Sequence, residues 1–191
     1  MALVLVAFRL KGWGINMATI TGLTNFPTAN QNPVNSIMDR FDKQTYLGNA
    51  FIFGQQSVSL GTTAETDLAT LACPVGSTKS IFVVLRRVSS SAQQVLFAYY
   101  VAPTITSAGT VATPVNLRPA SSNASIASVH TGPTVSSEGT LFSTLGCPSN
   151  FYVISDAETM IILDPGQVLL ITGQALTATT SINYEISWYE L

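Results

Sequence analysis

From residue 51 onward, apolar residues fall in short runs or in strict alternation, and turn residues separate the runs. The clearest case is the last: Ile182, Tyr184, Ile186 and Trp188 share one parity, and Asn183, Glu185, Ser187 and Tyr189 share the other. That period of two predicts a strand with one face in the core, capped near its end by Trp188. Runs of the same kind predict strands over 51–60, 67–73, 80–88, 94–101, 151–154, 159–163, 167–172 and 180–189. Less regular segments at 111–117 and 140–145 add two more. Turn signals lie between them at Pro74-Val75-Gly76, Ser107-Ala108-Gly109, Asp164-Pro165-Gly166 and Gly173. Several short strands at this spacing predict a sandwich or a barrel.

Two local readings are sharper. Asp164-Pro165-Gly166 places proline at i+1 and glycine at i+2, as a type II turn requires. Between 159–163 and 167–172 it predicts a hairpin, and the nearly continuous apolar flanks predict burial on both faces. Before the strands comes one helical pattern. Asn32 suits an N-cap, Pro33 the first helical position, and Val34, Ile37, Met38 and Phe41 recur at i, i+3, i+4, i+7. Asp39, Arg40, Asp42 and Lys43 fill the other face. Such a helix either packs over one end of the β domain or lies against a neighbouring subunit. Residues 1–30 show no helical period and read as an extended arm.

Composition changes this picture in one respect. Only 9% of the 191 residues are charged and the formal net charge is −2, against about 25% charged for ordinary soluble domains. From Val88 to the end the only charges are Arg118, Glu138, Asp156, Glu158, Asp164, Glu185 and Glu190. So few charges protect a free monomer poorly, and partners or copies of the chain are expected to cover much of its surface. Residues 103–139, long, almost uncharged and rich in Ser, Thr and Ala, are expected to pack between subunits. Nucleic acid is excluded as a partner: Arg86-Arg87 is the sole basic pair, and neighbours on a strand point to opposite faces. The pair is expected in solvent-facing or interfacial salt bridges.

The chain offers little chemistry. Cys73 and Cys147 each precede a proline, lack CxxC spacing and have no neighbouring histidine, so two buried free thiols are expected and no metal or cofactor. His130, the single histidine, has no carboxylate near it in sequence to complete a nucleophilic triad. Asp156, Glu158 and Asp164 are the candidate acid–base groups for glycoside hydrolysis, yet they sit at turns and form no D-x-D-x-D-G calcium loop. Asn123-Ala124-Ser125 fits the N-glycosylation pattern without an evident signal peptide. The apolar run of residues 2–8 is too short to span a bilayer, and Arg9 and Lys11 follow it where a signal peptide would place them before. It reads as a docking arm, or translation starts at Met17. A non-enzyme is expected.

Several segments, in order, carry a resemblance. They are Cys73-Pro74-Val75-Gly76-Ser77-Thr78-Lys79-Ser80, Thr113-Pro114-Val115-Asn116-Leu117, Ser122-Asn123-Ala124-Ser125, Glu138-Gly139-Thr140-Leu141, Asp164-Pro165-Gly166-Gln167 and Ser187-Trp188-Tyr189-Glu190. This series resembles jelly-roll virion proteins of tailed bacteriophages, over residues 51 to 191. Asp164 departs from the family, which often has proline or another apolar residue there. The resemblance implies an all-β jelly-roll β-sandwich at 51–191; the extended N-terminal arm and one short helix read at 1–50 have no counterpart in it, and attachment is expected there. It implies a homotrimeric capsid decoration (cement) protein bound to the major capsid protein at the virion surface, or alternatively a head or tail fibre that binds a receptor glycan. Contacts with the capsid are expected from Leu3, Leu5, Phe8, Trp13 and Phe26 of the arm and from Ile37, Met38 and Phe41 of the helix. The trimer interface is expected at Val115, Leu117, Ile126 and Val129. In the fibre reading, Tyr99, Tyr100 or Tyr189 would stack on sugars.

Overall fold

The computed structural model describes residues 33–62, 64–155 and 160–191, with helix side chains from Arg40 onward. Among the described residues one helix, α1 (Pro33–Leu47), precedes fourteen strands. The first four are β1 (Ala50–Leu60), β2 (Thr66–Ala72), β3 (Ile81–Ser90) and β4 (Val95–Val101). Five short ones follow: β5 (Thr104–Ser107), β6 (Thr110–Ala112), β7 (Val115–Asn116), β8 (Ser128–Thr131) and β9 (Thr134–Ser137). The chain closes with β10 (Thr140–Cys147), β11 (Tyr152–Ser155), β12 (Ile161–Leu163), β13 (Val168–Ala175) and β14 (Thr180–Glu190).

The pairing is that of one long hairpin rolled into two layers. β14 pairs with β1, β13 with β2, β11 and β12 with β3, and β10 with β4, all antiparallel. The first sheet runs β11-β3-β14-β1-β7, with β12 also on β3, and the second β10-β4-β13-β2-β8-β6. The fold is therefore an all-β sandwich with the jelly-roll strand order. Between the sheets lie the inward residues of both layers. Trp188 packs on Phe51 (ring centroids 6.3 Å) and Phe53 meets Tyr184 edge-on (6.2 Å), with Phe97, Leu71 and Ile171 among their buried neighbours. Trp188 is 0% exposed, as its place in the alternation predicts.

The turn at Asp164 forms as read: the Gln167 amide donates to the Asp164 carbonyl (2.9 Å) and Gly166 takes φ +88°. The predicted hairpin does not. β12 lies in the first sheet and β13 in the second, so the turn crosses between layers. The physical reason is twist. Type I′ and II′ turns match the twist of paired strands, whereas a type II turn splays them. The turn is braced against the end of β2, the Gly166 amide donating to the Cys73 carbonyl and the Cys73 amide to that of Gln167. Burial on both faces holds for β13, whose Leu169 to Gly173 are all buried, but not for β12, where Ile162 is exposed.

α1 begins at Pro33; its expected cap, Asn32, lies outside the described residues. The helix packs on the outer face of the first sheet. Phe41 meets Tyr189 (6.4 Å), which stacks on Phe82 (4.9 Å, 6° between planes), and Leu117 closes the cluster. The helix ends in a Schellman motif, with the Asn49 amide donating to the Gln44 carbonyl and the Gly48 amide to that of Thr45. Gly48 takes φ +76°, and a β-carbon there would lie 2.3 Å from the Ser121 hydroxyl oxygen.

Residues 103–139 carry the five short strands. Their strands pair within the chain: β8 on β2 and β6 on β8 widen the second sheet, β7 on β1 widens the first, and β5 pairs with β9. The following stretch staples the helix end. Asn116 and Asn123 side-chain amides donate to the Gly48 carbonyl (2.9 and 3.2 Å), and Arg118 donates to that of Tyr46 while its guanidinium lies over the Tyr46 ring. Glu190, 1% exposed, secures the far end by accepting from the Ile126 amide, the Ser125 hydroxyl and Trp188 Nε1.

Candidate functional site

The residues singled out in the sequence are scattered by the fold. Leu3, Leu5, Phe8, Trp13 and Phe26 lie outside the described residues, as do the side chains of Ile37 and Met38. Phe41 is half-buried against Tyr189 and so serves the chain's own packing. The four expected trimer-contact residues do not share a surface. Val115 is 63% exposed, Leu117 packs against the Tyr189 cluster, Ile126 packs against the main core, and Val129 is 1% exposed within it. Val129 pairs across from Leu71, so its side chain is directed between the sheets and has no surface left for a second copy.

The tyrosines expected to stack on sugars are likewise committed inside. Tyr99 and Tyr189 are buried, and Tyr100 is half-buried with its hydroxyl donating to both Glu65 oxygens (3.2 Å each). Burial pushes the Tyr99 hydroxyl up to about 12 against the opposing pull of Arg86, and it raises Tyr184 further. Asp156 and Glu158 lie outside the described residues, and Asp164 accepts from the exposed Ser80 hydroxyl (2.8 Å). His130 sits on β8, opposite Thr70. Asn123, the candidate glycosylation site, is engaged with Gly48 and Asn49. Cys73 and Cys147 are free and buried, as expected, and burial raises both thiols. Among the described residues no three His, Cys, Asp or Glu side chains group as a metal site would, and no helix is long and apolar enough to cross a membrane.

Arg86 and Arg87 do point to opposite faces, but the inner one enters the sandwich. Arg86 is 3% exposed; its guanidinium lies over the Tyr99 ring (4.9 Å to the centroid) and donates to Ser143 Oγ on β10 (2.8 Å) and Ser155 Oγ on β11 (2.9 Å). It thereby ties together the edge strands of the two sheets. Desolvation lowers its pKa, and Tyr99 opposes that shift. Arg87 makes the expected surface ion pair, with Glu185 (2.9 Å).

Two surface features stand out. The first is apolar exposure on the edge strands that Arg86 joins: Leu141 and Phe142 on β10 are 52% and 46% exposed, Ile154 on β11 46%, and Ile162 on neighbouring β12 45%. A register shift between Leu141 and Ser143 leaves both Leu141 and Phe142 facing out. The second is a groove of about 490 Å³ on the outer face of the first sheet. Its floor is polar, with Gly54, Glu185 and Arg87 in one cross-strand row and Asn183 and Ser89 in the next. Its sides are Val115 of β7 and Tyr152 of β11, which is 68% exposed. The sequence carries a sign of this feature. In the short strand 152–155 the outward parity is held by Tyr152 and Ile154, where a solvated face would carry polar residues.

Comparison with known proteins adds no relative: no family model matches the chain, and no curated protein matches it.

Proposed function

We propose that this chain is a structural protein of a tailed-bacteriophage virion, a homotrimeric capsid decoration (cement) protein that seats on the major capsid protein at the particle surface. One observation carries the reading. The sandwich exposes Leu141 and Phe142 on β10, Ile154 on β11 and Ile162 on β12, strands at the edges of the two sheets, in a chain with 9% charged residues. Open edge strands with bulky apolar side chains invite pairing, and stable proteins cover or charge them. Among the described residues β10 pairs only with β4 and β11 only with β3. The reading covers them with neighbouring subunits, and it moves the subunit contact away from Val129 and Ile126 to these strands. Capsid attachment falls to residues 1–50.

Light scattering of the purified chain and co-sedimentation with undecorated capsids test the two halves separately. A trimer mass is expected, reduced to a monomer by Leu141→Ser with Phe142→Ser. Deleting residues 1–30 is expected to abolish co-sedimentation while the trimer mass persists. A monomeric native chain, or full capsid occupancy by the truncated one, overturns the corresponding half.

A further inference from the structure

The groove on the first sheet has a chemistry of its own. Its charges cancel, since Arg87 Nη1 lies 2.9 Å from Glu185 Oε1. Its amide is fixed: Asn183 Oδ1 accepts from the Ser57 backbone amide (2.9 Å) and Asn183 Nδ2 donates to Ser89 Oγ (3.1 Å). Its floor is closely packed at Gly54, where a β-carbon would lie 2.7 Å from the Tyr184 carbonyl oxygen and 3.3 Å from Glu185 Cβ. Any larger residue there would push the neighbouring strand. Tyr152 stands along one side, mostly exposed, and a second hollow bordered by Phe151, Asn150 and Ser91 continues from it.

We infer that this groove binds a neutral oligosaccharide, with Tyr152 as the stacking platform and Asn183, Ser89 and the Arg87–Glu185 pair as hydroxyl partners. The ring faces of a pyranose are apolar C–H surfaces and its edges carry hydroxyls, so a sugar needs an aromatic side beside an array of fixed donors and acceptors. The groove supplies both, and its volume falls within the ~300–1,000 Å³ of small-ligand sites. An anionic ligand is disfavoured because Arg87 is already neutralised by Glu185. A β-strand peptide is disfavoured because the groove lies on a face and not along an unpaired edge. The inference does not depend on where the chain sits in a particle.

Saturation-transfer NMR on the intact chain tests it, using cellotriose, maltotriose and N-acetylchitotriose as probes and sialyllactose against lactose as the charge control. Transfer to the ring protons of at least one neutral probe is expected. Tyr152→Ala should weaken that binding by about tenfold or more. Because Tyr152 is exposed, the variant should keep the native circular dichroism; Asn183→Asp, which keeps the shape and removes a donor, provides a second variant. No transfer from any neutral probe at millimolar concentration overturns the inference. So does unchanged affinity in both variants, or a preference for sialyllactose over lactose. None of these outcomes bears on trimer mass or capsid co-sedimentation, so failure here is distinct from failure of the virion reading.

Discussion

Replacing Glu190 by alanine should destabilise the fold far more than its place next to the last residue suggests. The carboxylate is 1% exposed and accepts from the Ile126 amide through both oxygens (3.1 Å each), from Trp188 Nε1 (3.2 Å) and from the Ser125 hydroxyl. In Glu190→Ala the Ser125 hydroxyl turns to other partners, since it is half-buried and already accepts from the Ala127 amide (3.0 Å). The Ile126 and Trp188 N–H groups have no such freedom. Each orphaned buried donor costs about 1–3 kcal/mol, and removing a desolvated charge returns part of that, leaving about 2–5 kcal/mol. For a chain of this length the melting temperature should fall by ~5–15 °C. Glu190→Gln keeps one acceptor oxygen and should fall between the two. Thermal unfolding followed by near-ultraviolet circular dichroism measures the series, and hydrogen exchange at the Ile126 amide reports the local bond. A Glu190→Ala variant within ~0.5 kcal/mol of the native chain would refute the reasoning, because that is the size of an ordinary surface change. A Gln variant less stable than the Ala variant would refute it too.

Three further outcomes follow from the same structure. Burial raises the Tyr99 hydroxyl to about 12, so its stabilising effect is intact below pH ~10 and is lost as pH rises through its folded value; the loss is on the order of 3 kcal/mol. Melting temperature should decline above pH ~10, less steeply in Tyr99→Phe, with Tyr184, Tyr100 and Tyr189, which burial also raises, supplying the rest; an equally steep decline in that variant contradicts the assignment. Gly48→Ala places a β-carbon 2.3 Å from Ser121 Oγ at φ +76° and should cost about 1–3 kcal/mol, seen as lost exchange protection at the Asn49 amide before global unfolding. Cys73 and Cys147 are 2% and 0% exposed, so a disulfide reagent should label them only as fast as the chain opens; rapid labelling of the native protein contradicts their burial.

The sandwich was legible because period-two alternation and turn residues mark strands directly. The helix was legible from its spacing and from Pro33. What alternation does not reveal is which of two adjacent like residues faces inward. Arg86 and Arg87 look alike in sequence, and the choice is made by Tyr99, Ser143 and Ser155, all distant along the chain. Parity did contain the answer for Tyr99, which follows Val95 and Phe97 inward along β4. β5, β8 and β9 went unread because four residues rich in Ser and Thr hold too few apolar positions to show a period. The crossing at Asp164 looks like a hairpin in sequence because apolar residues on both sides suit either arrangement, and only the turn type distinguishes them. The groove escaped because its parts come from β1, β3, β7, β11 and β14, and no short window of sequence contains two sides of it.

Val101 and Thr140 are register partners on neighbouring strands, so residues 102–139 leave and rejoin β4 and β10 at one neck. The far part of that excursion is committed, through Val129 in the core and Asn116 and Asn123 at the helix end. The ribbon nearest the neck is not: β5 is exposed along its whole length, and so is most of β9. That ribbon is therefore a spacer, whose outward side chains can be exchanged while the pairing on either side of it holds the strand order.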